Sequence, residues 1–120
     1  MPHYVDGFVL PVPTANLEAY RRIADKAGEI WKDHGALEYW ECVADDVDAG
    51  KVTSFPQAVL LKEDETVVFS WIVYASREER DRINKAVMED PRMKEMMDQK
   101  SMPFDAQRMF WGGFRSIVER

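Results

Sequence analysis

The run 66–75, TVVFSWIVYA, constrains this chain more than any other segment. Its β-branched and aromatic residues predict a strand. A strand turns successive side chains to opposite faces, so Val67, Phe69, Trp71 and Val73 share one face and Val68, Ile72 and Tyr74 the other. Both faces are apolar, and both need cover. Helices packed on one side of a sheet cover only one of them. The other would leave a large apolar patch on a lone chain, which soluble proteins avoid. A second copy of the same sheet is the simplest cover, so a homodimer is expected.

The remaining segments supply the helices and the other strands. Residues 3–12 read as a strand, with Val5, Phe8, Val9, Leu10 and Val12 as β-formers and Pro11 and Pro13 closing the run. Leu17, Tyr20, Ile23, Ala24, Ala27, Ile30 and Trp31 then recur at helical spacing. Asn16 or Thr14 caps that helix, and His34-Gly35 ends it, where glycine suits the left-handed position. ALEYWECVAD, at 36–45, predicts a second strand. Residues 46–57 read as a polar loop, and AVLLK, at 58–62, fits a short helix or a strand. Ser76-Arg77-Glu78-Glu79 matches a capping box and opens a helix that runs to about Met88. Asp90-Pro91 opens another, carrying Met93, Met96 and Met97 on one side. Pro103 interrupts the polar stretch that follows. MFWGGFRSIV, at 109–118, predicts the last strand. Strand, helix, strand, twice over, is the split βαβ order of a ferredoxin-like α+β fold with an antiparallel sheet. No repeat or linker divides the 120 residues, so one domain is expected.

Composition narrows the partners. With 46% hydrophobic residues a core needs no staples, and the one cysteine, Cys42, excludes an internal disulfide. A net charge of −6 repels polyanions, and no nucleic-acid partner is expected. The richest basic stretch is Arg77, Arg80, Arg82, Lys85, Arg92 and Lys94. It is interleaved with Glu78, Glu79, Asp81, Glu89 and Asp90 and reads as a solvated helix face. No apolar run nears the roughly 20 residues that span a bilayer, and the start MPHYVDGFVLPVP lacks the features of a signal peptide. A cytoplasmic protein without a membrane partner is expected.

Three long segments carry a resemblance. FPQAVLLKEDETVVFSWIVYASREERD, MPFDAQRMFWGGF at 102–114 and YVDGFVLPVP near the start resemble the YbaA-like proteins, a family of unknown function, over nearly the whole chain. The resemblance implies a ferredoxin-like fold of the dimeric α+β barrel type, in which two sheets face each other across a two-fold axis. Several relatives in that superfamily are cofactor-poor monooxygenases or haem-degrading enzymes, and others have no known activity. A label tied to signal-recognition-particle RNA travels with some sequences of the family, but the acidic balance here gives it no support. No established catalytic residues come with the family.

The residues themselves show no dinucleotide or phosphate loop, no H-E-x-x-H and no C-x-x-C. His3 and His34 do not stand at metal-ligand spacing, so neither a metal nor a cofactor is expected. His34 reads as a cation facing a helix dipole, or as a general base or haem ligand at a barrel mouth. Cys42 reads as a buried, inert thiol. The strand aromatics Tyr39, Trp40, Phe69, Trp71, Tyr74, Phe110, Trp111 and Phe114 pack a core or line a cavity. Asp6, Ser70 and Arg115 are polar residues inside apolar strands. A buried Asp6 needs a partner, whereas one on a solvent-facing edge does not. Asp105 ties a turn or pairs with Arg108 at a ligand mouth. Gly112-Gly113 suits a bulge or the close approach of a ligand or partner. The ligand-binding candidates are therefore Trp71, Asp105, Arg108, His34 and Asp6, with the cavity near Trp71 and the Asp105–Arg108 pair at its mouth. Two functions stay open: an enzyme that transforms a small, partly apolar molecule, oxygenase-like by the resemblance, and a non-catalytic binding or regulatory module.

Overall fold

In the computed structural model, residues 2–97 and 102–120 are described; positions 98–101 of the polar stretch lie outside them. The chain runs through β1 (Tyr4–Pro13), a 3-10 turn (Thr14–Asn16), α1 (Leu17–Asp33) and β2 (Glu38–Val43). It continues through α2 (Phe55–Ala58), β3 (Glu65–Tyr74), α3 (Arg77–Glu89), α4 (Pro91–Met97), a second 3-10 turn (Ala106–Arg108) and β4 (Phe110–Arg115). The strands are antiparallel in the order β2-β3-β1-β4, the ferredoxin-like α+β arrangement. Among the described residues no helix is long and apolar enough to cross a membrane.

One face of the sheet is covered by the helices. Leu10, Val12 and Val68 are buried with Tyr20 and Ala24 of α1. Ile72 and Tyr74 are buried with Ile30, Ile83, Val87 and Met93. Each large side chain sealed in this way contributes roughly 1.5–3 kcal/mol. Across this face the register aligns Phe8 with Ser70 and Ser70 with Glu41, and Asp6 with Ile72 and Ile72 with Tyr39.

The opposite face is only partly covered. Val59, from the segment after α2, is buried with Val9 and Val67 at one end. Beyond it the aromatics lie open: Trp40 is 53% exposed, Phe69 40%, Phe110 46% and Phe114 64%. Trp40 and Trp71 stack there with centroids 5.8 Å apart, and Phe55 meets Phe69 edge-on.

Several local details depart from the expectations, each for a physical reason. Pro13 is the last residue of β1, but Pro11 lies inside it. Thr14 N donates to Asp64 O at 2.8 Å, so the even positions of β1 bond β3. The prolines' missing donors then turn toward the side where β4 pairs no further than Val9. The last strand stops at Arg115 rather than 118, with one further bond beyond it, from Ser116 N to His3 O at 3.1 Å. Asn16 is the residue before α1, but its amide donates to Pro103 O at 3.1 Å instead of capping the helix. Gly35, at φ 116°, ends α1 in the left-handed region. In α3, Ser76 accepts from Glu79 N at 3.1 Å, while the Glu79 carboxylate turns to Arg82. The segment 46–57, read as loop, ends in α2, which Ser54 caps. Gly112-Gly113 forms no bulge. The pairing runs unbroken through Gly7–Gly112 and Asp6–Gly113, and a side chain at Gly113 would strike the Tyr4 hydroxyl and the Arg80 guanidinium.

Candidate functional site

α1 presents Tyr20, Ala24, Ala27 and Trp31 toward the sheet. Ala24 and Ala27 are small, and they leave space beneath the helix. A cavity of about 200 Å³ lies there, bounded by Phe8, Leu10, Tyr20, Trp31, Tyr39 and Phe104, and by Met93, Met96, Met97, Met102 and Met109, of which Met97 and Met102 are exposed. Glu41 and Ser70 are the polar side chains in this apolar lining apart from the tyrosine hydroxyls and the Trp31 N–H. A second hollow of about 570 Å³ adjoins it, lined by Thr14, Glu18, Arg21, Asp25 and Cys42. Tyr20, Ala24, Tyr39 and Glu41 border both spaces.

Glu41 is held by hydroxyls. Tyr20 donates to Oε1 and Tyr39 to Oε2, both at 2.7 Å. Tyr39 reaches this position because its ring lies on Gly28, where an added Cβ would stand 2.6 Å from a ring carbon. Tyr20 is steadied by Phe104 in an edge-on contact, centroids 5.5 Å apart. Burial pushes the Glu41 carboxyl above its ordinary range, and the Tyr39, Tyr20 and Ser70 hydroxyls pull partly back. Burial first, and then the Glu41 charge, push both phenols well up, so they stay protonated and donate. The arrangement can accept a hydrogen bond or a proton from a molecule in either space.

The five sequence candidates are dispersed over the molecule, and none lines either space. Asp6 is buried at 1% exposure and is not at an edge. Arg80 Nε donates to it at 3.0 Å, the Tyr74 hydroxyl at 3.0 Å. The Arg80 guanidinium also lies over the Tyr4 ring, 5.1 Å from its centroid. Trp71 sits on the uncovered face of the sheet, away from the helices. Asp105 and Arg108 do meet at the entry to β4, at 2.9 Å, and Asp105 also accepts from Gln107 N as the turn reading expects. Arg108 further grips the buried Glu65 carboxylate at 2.7 Å and Leu60 O at 3.0 Å. His34 Nε2 lies 2.8 Å from Asp90 Oδ2, and the Arg92 guanidinium and His34 hold the Asp90 carboxyl far below its usual range.

Sequence reading missed Glu41 and Tyr20. The available signal was faint: Glu41 alternates with Tyr39 and Val43 along β2, and Tyr20 falls on the apolar stripe of α1. Whether that face of β2 turns inward is decided by its pairing with β3.

The comparisons with known proteins agree with this architecture. The chain is 54% identical over 116 residues to the uncharacterised protein YbaA of Escherichia coli K12, covering 97% of both chains. Among solved structures it is similar to a dimeric ferredoxin-like protein from an uncultured marine organism, at TM-score 0.62 and 12% identity, covering 100% of both chains. It is also similar to a putative antibiotic biosynthesis monooxygenase from Nitrosomonas europaea, at TM-score 0.54 and 14% identity, covering 96% of this chain and 90% of that one. These likenesses show the fold. Residues 3–106 match the family model described as protein of unknown function (DUF1428), and the chain belongs to that family.

Proposed function

We propose that the protein works as a homodimer in which each subunit holds one small, largely apolar molecule in the chamber under α1. The observation that carries the ligand reading is the chamber itself. It is an apolar, methionine- and aromatic-lined space with a polar spot at Glu41 and Ser70, the usual composition of a small-molecule site. The exposed Met97 and Met102 suit an adaptable entrance, because their unbranched side chains repack around different shapes. The open aromatic face supports the dimer, with Trp40, Phe69, Trp71, Phe110 and Phe114 as its centre. A patch of this kind is rare on a free surface.

Two measurements test the reading. Sedimentation at micromolar concentration should give about twice the 14.0 kDa chain mass, and Phe69→Glu should return a folded monomer. The neutral probe N-phenylnaphthylamine should bind saturably, one per chain, and Met96→Trp should block it without lowering the melting temperature. An unsaturable titration would end the chamber reading.

The likeness of fold to a putative monooxygenase favours a second reading, turnover with dioxygen. Oxygen uptake with an added hydroquinone above the uncatalysed rate would support it, and binding without uptake would leave a carrier or sensor.

A further inference from the structure

We propose that the chamber takes an amphipathic amine, with its ammonium group against Glu41 and its apolar body among the aromatic rings and methionines. The inference rests on the chamber reading above and names its ligand class.

The argument begins with how this chain treats its other shielded carboxylates. Asp6 is paired with Arg80, Glu65 with Arg108, and Asp90 with Arg92 and His34. Each has a cation, as shielded charge requires. Glu41 differs. Among the described residues it forms no ion pair, and its recorded partners are hydroxyls. Phenols satisfy its hydrogen bonding but cannot neutralise its charge. The two phenols and the Ser70 hydroxyl take three of the carboxylate's four acceptor positions, and one stays free. Glu41 also borders both spaces, so a guest can reach it.

The surroundings select the sign of that guest. From α1, Glu18, Arg21 and Asp25 line the outer hollow, and Arg21 is already held by Glu18 at 2.7 Å. Tyr39 on β2 and Ser70 on β3 flank Glu41, and Thr14 and Cys42 complete the polar lining of the hollow; none of them is cationic. The approach is therefore net acidic and opposes a carboxylate or phosphate. The rings of Phe8, Tyr20, Trp31, Tyr39 and Phe104 add faces that attract a cation. The inner volume of about 200 Å³ falls below that of drug-sized pockets and favours a small body, with a larger one extending into the adjoining hollow.

The test compares three molecules of one shape by calorimetric titration at pH 7: 2-phenylethylamine, its neutral counterpart 2-phenylethanol, and the anion phenylacetate. The amine should bind about tenfold or more tightly than the alcohol, as a charge-assisted bond in a shielded site allows. Phenylacetate should not bind. Glu41→Gln should remove the amine's advantage and leave the alcohol within about twofold, since the apolar contacts persist. Amine affinity should also fall as pH drops through the raised Glu41 value, because the neutral carboxyl no longer attracts the cation. An alcohol that binds as well as the amine, a preference for phenylacetate, or unchanged amine affinity in folded Glu41→Gln would each overturn the amine assignment. If N-phenylnaphthylamine still binds in those cases, the chamber reading survives. If none of the four molecules binds, both fall.

Discussion

The helix-covered face of the sheet holds two carboxylates, and the chain treats them in opposite ways. Asp6, on β1, is sealed at 1% exposure beneath Arg80, with Tyr74 and Asn84 completing its hydrogen bonds. Glu41, on β2, lies beside a cavity and is met by hydroxyls. The first arrangement ties β1 to α3 and leaves no room for a guest. The second leaves a charge that the surrounding protein does not balance. A buried ionised group with a cation is a structural joint; one without a cation, next to open space, is unfinished chemistry. Glu65 and Arg108 repeat the first pattern at the other end of the sheet.

Perturbing each pair tests that contrast. The largest effect is expected at Asp6. Arg80→Ala leaves its carboxylate sealed without a cation, and urea unfolding should show a loss of about 3–5 kcal/mol. A loss below about 1 kcal/mol would mean that the pair behaves like a surface contact, and the distinction from Glu41 would collapse. Next comes Arg108→Ala. The Glu65 carboxyl is held down chiefly by Arg108, so the variant should lose stability, less than Arg80→Ala does, and bind N-phenylnaphthylamine normally. The reverse result, intact stability with binding abolished, would move the ligand to the Asp105–Arg108 end of the fold.

The smallest effect is expected at Glu41, and it should depend on pH. Burial raises the carboxyl above its unfolded value. The folded state therefore binds this proton more tightly than the unfolded state does. The associated stability is fully present below the unfolded value and is lost as pH rises through the folded one. Glu41→Gln carries no such penalty. Its melting temperature should match or exceed that of the parent at pH 7, and the difference should shrink toward pH 4. A variant that is less stable at pH 7 than at pH 4, relative to the parent, would show that the carboxylate is satisfied where it stands.

Local rules carried the sequence reading a long way. β3 is apolar on both faces, and the aromatic face left open by the helices is the one its period marks. Gly35 ends α1 and Ser76 opens α3, because capping depends on a few adjacent residues. Asp105 ties its turn for the same reason. The reading failed where a side chain's meaning depends on what lies across from it. Gly112-Gly113 suited a bulge or the close approach of a ligand or partner, but Gly113 is small because the chain's own Tyr4 and Arg80 occupy the space beside it.

The sequence by itself determined the element order, the helix ends and the two-sided character of β3, since each follows from period and capping within a few residues. Only the tertiary structure decided where the unpaired carboxylate lies. The pairing of β2 with β3 sets Glu41 opposite Ser70 and turns it under α1; a slip of one residue would turn it to the open face. The space beside it exists because Ala24 and Ala27 come together on one side of a helix laid across that row, while Gly28 admits the Tyr39 ring that holds it. Neither fact is local, because each is fixed by residues far apart in the chain.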